Sequence, residues 1–355
     1  MAFSVGLGQQ PRYRSVAARD LAAVRKEIAA AKARFGLSAQ ARVVSCYEAG
    51  RDGFWLDRAL KAMGVENLVV DSASIEVNRR ARRAKTDRLD GGKLLGLLLR
   101  WLAGEEKAWS VVRVPTPEEE DRRHLHREWK TSKRDLTRLT NRIKGLLFGQ
   151  GIHLSSLKGL PQQLGRLRLW DGGALPVRLR ERLERDWEQV QRLRQRLGQL
   201  RAERRKLLQT GEDAASRCAR KLAELSAIGE TGAWAYAVEF FGWRKFDNRR
   251  QVGALAGLTP TPYQSGSTGR EQGICKAGNR WIRGLVVETA WAWLRYQPQS
   301  ELSLWYQRRF GSGSARVRKI GIVALARKLL IALWKYVESD TLPAGAVRKA
   351  LVEQG

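Results

Sequence analysis

The chain has 355 residues, enough for two domains, and its 43% hydrophobic content with 13 tryptophans supplies real cores, which excludes a disordered polybasic tail. Sixty-six Lys and Arg against 36 Asp and Glu leave a formal charge of +30. It is spread from Arg12 to Arg348, a field suited to an extended polyanion, either a DNA duplex or a folded RNA. Three separated cysteines (Cys46, Cys218, Cys275) argue against a disulfide framework or a zinc cluster and point to a reduced, cytoplasmic, nucleoid-associated setting. No run approaches the roughly 18 apolar residues that span a bilayer, and the N-terminus lacks the apolar core of a signal peptide.

In chain order, Phe3 to Leu7 reads as a short strand before a Gly-Gln-Gln-Pro turn, and Asp20 to Phe35 as an Ala-rich helix stopped by Gly36. The β-branched run ending at Glu48, the helical stretch Gly53 to Met63 and the run Glu66 to Asp71 together predict a βαβ unit with a parallel strand pair. A helix is expected over Asp87 to Leu102, then a third strand in Trp109 to Val114 closed by Pro115. This makes residues 1–116 an α/β domain. The next part, 117–210, reads as two long charged helices, Glu118 to Phe148 and about Val177 to Leu208. Leu183, Val190 and Leu197 fall seven apart, as do Leu193, Leu200 and Leu207, a heptad pattern that fits a hairpin within the chain or a coiled coil between chains. Arg192, Arg194, Arg196, Arg201, Arg204 and Arg205 would flank that seam. Residues 211–355 form a mostly α C-terminal domain. It holds a Gly229/Gly232 junction resembling a helix-hairpin-helix turn, a Gly-, Ser- and Thr-rich loop around Ser265, and an amphipathic final helix from Arg316 to Val337.

Two constellations carry candidate chemistry. Asp87 and Asp90, spaced i and i+3, share a helix face, and Glu48 ends an apolar strand, where open α/β sheets place ligand-contacting groups. An Asp pair at a helix start among arginines reads by itself as a cap and its ion pairs. With Glu48, three hard-oxygen donors could hold Mg²⁺ for work on a phosphodiester. The neighbouring Arg79, Arg80, Arg82, Arg83 and Lys85 would then grip a nucleic-acid backbone. Asp71 reads as a turn residue, and His124, His126 and His153 as surface residues. Ser265 lies in TPTPYQSGSTG, where Gly266 permits an exposed hydroxyl, and Arg270, Lys276, Arg280 and Arg283 could stabilise charge developing at a phosphate. In isolation that composition is ordinary for a loop.

YEAG at 47–50, VVDSASIEVNRRARRAKTDRLD at 69–90, GLTPTPYQSG at 257–266 and CKAGNRWIR at 275–283 resemble, in this order, the DEDD-type insertion-sequence transposases. The resemblance covers nearly the whole chain. It implies a RuvC-like (RNase H-like) N-terminal domain, a helical or coiled-coil middle and a C-terminal transposase-twenty domain. It further implies Mg²⁺ at Glu48, Asp87 and Asp90, a nucleophilic Ser265 that forms a serine-linked DNA intermediate, donor and target DNA paired with a structured guide RNA, and a synapse of a homo-oligomer, dimer or tetramer. The family's first Asp lies on an opening strand ahead of the segment matching FSVGLGQ, and no residue of this chain matches it. A metal site with three of four carboxylates, and a sheet without its first strand, are therefore expected. Cys275 stands where the family usually has Ser. Two further readings are a Holliday-junction-type metal-dependent nuclease and a truncated transposase that only binds nucleic acid.

Overall fold

The computed structural model describes residues 1–50, 53–75, 86–265 and 268–349, with residues 73, 87, 262–265 and 268–272 described by backbone alone. It divides into two compact units, Met1–Thr116 and Pro117–Gly355. Among the described residues no helix is long and apolar enough to cross a membrane.

In the first unit, β1 (Ala2–Phe3) pairs antiparallel with β2 (Arg12–Tyr13). The expected strand from Phe3 to Leu7 thus stops at Phe3. Helix α1 (Leu21–Arg34) starts where Asp20 accepts from Ala23 N at 2.8 Å and ends before Gly36, whose φ of +67° breaks the helical backbone. The βαβ unit is present: β3 (Val44–Glu48), α2 (Trp55–Ala62) and β4 (Glu66–Val70), the strands parallel in a register running from Val44 opposite Glu66 to Glu48 opposite Val70. A buried polar strip ties helix to strands: Asn67 donates to Asp57 Oδ1 at 2.8 Å, and Ser45 donates to Asn67 Oδ1 at 2.7 Å. The expected third strand is reduced to one antiparallel bridge, Val111 opposite Val70, with Asp71 N donating to Ser110 O and Val112 N to Val69 O. The reason is local. The chain turns into a 3₁₀ segment at Ser72–Ser74, Asp71 O accepting from Ser74, so on the Trp109–Ser110 side the pairing has no strand to continue along. Helix α3 (Asp87–Leu102) has the expected limits, its N-cap supplied by Thr86 rather than by an Asp. Its Leu97 and Leu98 meet Val70, Ala108 and Trp109 in the core of the unit.

The second unit begins with α4 (Pro117–Phe148) and α6 (Val177–Thr210), joined through a segment containing the short α5 (Leu160–Leu164). Ties between Glu128 and Arg196 and between Arg142 and Asp186 run in opposite order along the two long helices, so they form an antiparallel hairpin within the chain. The heptad seam is used there: Leu183, Trp187 and Val190 are buried with Leu139, Ile143 and Leu147. The flanking arginines are largely engaged as well. Arg192 pairs with Glu188 and Arg205 with Glu230, Arg194 lies over the Trp187 ring, and Arg204 is buried over Trp129.

The C-terminal part of this unit packs α7 (Ala214–Ala223), α8 (Glu230–Tyr236), α9 (Arg249–Leu255), a hairpin of β5 (Pro260–Ser265) and β6 (Thr268–Ile274), α10 (Arg280–Tyr296), α11 (Glu301–Tyr306) and α12 (Ala315–Ser339). Its core gathers Trp234, Tyr236, Phe240, Trp293, Leu329 and Tyr336, with Tyr236 OH donating to Thr289 and Trp293 Nε1 to Ser300. The Gly229 junction is a plain helix cap: Gly229 precedes α8, and Gly232 lies inside it.

His126 is a correction to the sequence reading, because it is buried on α4 with its ring stacked 6.3 Å from Trp129. Burial pushes its pKa down from 6.5 to about 4, against the opposing pull of Glu239. The unfolded chain takes up this proton near 6.5 and the folded chain only near 4, so the unfolded state binds more protons between those values. Stability should therefore fall as pH drops through that window, by up to about 3 kcal/mol from this group. Urea unfolding at pH 7 and pH 5 should show the loss in the parent chain and a smaller one in His126→Phe. Equal losses in both would remove His126 as the cause.

Candidate nucleic-acid and catalytic site

The serine segment, expected as a loop, is a two-stranded antiparallel hairpin. Pro260 stands opposite Ile274, Tyr263 opposite Arg270 and Ser265 opposite Thr268, with a register shift between Pro260 and Pro262. Prolines are tolerated because, among the described residues, neither strand has a second partner that would need their missing N–H. Ser265 is the last residue of β5. Gly266 and Ser267, which follow it, lie outside the described residues, and Ser265 itself is placed by its backbone.

What fixes the hairpin is a crossing of two backbones at its base. Cys275 N donates to Thr259 O at 2.8 Å, Lys276 N to Gly257 O at 3.2 Å, and Asn279 N to Leu255 O at 2.6 Å. The chains approach so closely that only glycine fits. Gly257 has φ +65°, and a Cβ there would overlap Ala277 O; Gly278 has φ +94°, and a Cβ there would overlap Leu255 O and lie 2.9 Å from Ala254 O. Asn279 then caps α10, its side-chain oxygen accepting from Trp281 N and Ile282 N. The GL…KAGN pattern is in this sense a mount that carries the serine hairpin on the start of α10.

Of the cations expected here, Lys276 is exposed in a left-handed backbone conformation with φ +59°, and Arg280 is exposed at the first position of α10. Arg283 braces the mount: its Nη1 donates to Ala256 O at 3.1 Å. Arg270 is placed by backbone alone, opposite Tyr263. Lys130 of α4, which no local motif marks, sits over the ring of half-exposed Trp281, and burial draws its ammonium below the ordinary lysine range. The signal that could have found it is weak: a Trp two residues past the cap calls for a partner, but not for one so far away in sequence.

In the first unit, α3 is tied to β3 where the Cys46 thiol donates to Leu94 O at 3.8 Å, and burial pushes that thiol up to about 12, so it stays neutral. Glu48 lies two positions further along β3, exposed at the strand end, and Asp90 four positions before Leu94, exposed in the first turn of α3. Asp87 is the first helical residue and is described by backbone alone. Carboxylates near a helix start are favoured by the macrodipole whether or not a cation is bound. Chemically, the three are a hard-oxygen donor set of the kind Mg²⁺ takes. Among the described residues no three carboxylate, imidazole or thiol groups gather closely enough to hold a metal, so the fit rests on donor chemistry alone. Arg79, Arg80, Arg82, Arg83 and Lys85 lie outside the described residues.

Residues 219–304, which contain the serine hairpin and its mount, match the transposase family described as IS116/IS110/IS902. A putative transposase, y4rJ, of Sinorhizobium fredii is 42% identical over 98% of this chain and 91% of its own length. The chain belongs to the IS116/IS110/IS902 family of transposases. More distant relatives are a probable family 20 transposase of Pseudomonas aeruginosa, 27% identical over 67% of this chain and 70% of its own length, and the Coxiella burnetii transposase for insertion sequence element IS1111A, 23% identical over 69% and 66%. Membership implies DNA recombination as the class of work and DNA as a partner of this transposase. The +30 charge is of the matching sign.

Proposed function

We propose that this transposase cuts and rejoins DNA through a covalent link to Ser265. The Ser265 oxygen attacks a backbone phosphorus, its proton leaving to a base, and the bond from phosphorus to the leaving deoxyribose oxygen breaks. Attack of another strand's hydroxyl on the linkage restores the serine. The number of phosphodiester bonds is conserved, so no external energy source is required. The observation that supports this reading is the glycine crossing, which anchors the base of the hairpin on the start of α10 beside Lys276 and Arg280, with Ser265 at the hairpin's other end. Preorganisation of this kind is what an attacking oxygen needs.

Glu48, Asp87 and Asp90 are proposed to hold Mg²⁺, which would supply charge neutralisation at a DNA phosphate when bound. A structured guide RNA and a dimeric or tetrameric synapse complete the reading, and a RuvC-like origin for the first unit agrees with its parallel β3–α2–β4 unit.

The test is an adduct assay. Full-length protein is incubated with end-labelled element DNA, denatured and digested with trypsin. The label should remain on the peptide 251–270, which contains Ser265. Cleavage of branched DNA with no protein-linked label would favour a Holliday-junction-type nuclease. Binding with neither cleavage nor label would favour a chain that only binds nucleic acid.

A further inference from the structure

The free end of the α4–α6 hairpin displays two aromatic rings that no core uses. Trp170 is 82% exposed and Phe148 is 70% exposed, in a chain whose other tryptophans are mostly packed. The backbone beneath them is fixed. Trp170 sits at the corner of a tight turn in which Gly172 N donates to Leu169 O at 3.0 Å and Leu169 N to Gly173 O at 2.8 Å, with Gly172 at φ +83°. Asp171 Oδ1 closes the turn by accepting from Gly173 N at 2.9 Å. Trp170 N donates to Gln150 O at 3.2 Å, and a Cβ on Gly151 would come within 2.8 Å of Trp170 Cβ, so this turn is pressed onto the chain just beyond Phe148, the last residue of α4. Beside Phe148 runs a groove of about 360 Å³ lined by Lys144, Ile152 and His153. Among the described residues neither ring stacks on another aromatic ring or beneath a cation.

We infer that this tip is a stacking platform for an unpaired nucleobase, with Trp170 against the base face and Arg166, Arg178 and Lys158 against the flanking phosphates. Charge selects the occupant. Between Gly145 and Leu179 the tip carries exposed Lys158, Arg166, Arg168 and Arg178 against the single acid Asp171, which is engaged in its own turn. Two copies of such a tip would set like charges against each other, whereas a base between phosphates offers an apolar face and anions together. The base must be unpaired, because within a duplex both its faces are covered by neighbouring pairs. The recombinase reading enters only as the reason that nucleic acid is present. The site lies away from Ser265 in sequence and uses none of its residues.

The experiment uses full-length protein, parent and Ser265→Ala, with RNA and DNA stem-loops carrying 5-iodouracil in an unpaired loop and a fully paired duplex as reference. Irradiation should cross-link the loop, in RNA, DNA or both, to the tryptic peptide 169–178, which contains Trp170. Trp170→Ala should weaken stem-loop binding roughly tenfold, Trp170→Phe should restore most of it, and duplex affinity should stay within about twofold in both. The RNA and DNA arms separate the two sources of the unpaired strand. No cross-link at that peptide with unchanged stem-loop affinity overturns the inference. So does a fall in oligomeric state in Trp170→Ala with affinity intact, which would assign the tip to a second copy of the chain. Because Ser265→Ala is expected to behave as the parent here, failure of the serine reading and failure of this one are told apart.

Discussion

Ser265→Ala should lower recombination by about 10⁴-fold or more while leaving DNA affinity within about twofold, because removing an attacking oxygen abolishes the covalent route without touching the phosphate contacts. The two readouts must be made together. Loss of both would mean that the hairpin had collapsed, yet Ser265 ends a strand whose placement is set at its base by Gly257, Gly278 and Asn279, none of which the substitution alters. Unchanged recombination in Ser265→Ala would sink the serine assignment outright. Carboxylate variants such as Asp90→Asn provide the contrast. A nuclease driven only by the acidic unit would be sensitive to them and indifferent to Ser265.

The parts of this fold that were readable in the sequence are those where local chemistry and final structure agree. Gly36 stops α1 because a left-handed backbone is needed there, and the apolar periodic run gives α3 its limits at Asp87 and Leu102, although its cap is Thr86 and not an Asp. The parallel pairing of β3 and β4 follows from two β-branched runs separated by a helix. The serine hairpin was hidden because Pro260 and Pro262 argue against a strand, an objection that lapses only once the pairing is known to be two-stranded. The strand expected at Trp109 to Val114 is reduced to one bridge, in part because β4 ends at Val70 and Trp109 has no strand residue to pair with. His126 lies between Leu125 and Arg127 in a charged stretch, and its burial brings it near Arg204 of α6 and Glu239, which sequence proximity does not reveal. A heptad seam is likewise silent on whether its partner belongs to the same chain; here Leu183 and Val190 found it in α4. Ser265 owes its candidacy to resemblance, and what the structure adds is a physical account of the residues around it. The glycines of the motif are required by the crossing, and Arg283, expected to face a phosphate, donates to Ala256 O.

That account makes a second large effect predictable. In Gly257→Ala the new methyl group would overlap the backbone oxygen of Ala277, and φ +65° is unfavourable for any side chain. A backbone oxygen in a hydrogen-bonded crossing cannot step aside as the end of a flexible side chain can, so the cost should be about 3 kcal/mol or more. Gly278→Ala meets the same obstacle at Leu255 O and should behave alike. Gly284, on the exposed face of α10 with nothing within 4 Å of its would-be Cβ, is the internal control, since alanine there should stabilise the helix by up to about 1 kcal/mol. Limited trypsin digestion provides the readout. Cleavage after Arg270, in β6, should accelerate sharply in Gly257→Ala and Gly278→Ala and stay at the parent rate in Gly284→Ala. Adduct formation should fall with the first two although Ser265 is intact in both. If Gly257→Ala kept its hairpin protected and still formed the adduct, the crossing would not be what positions the serine, and the preorganisation argument for Ser265 would fall with it.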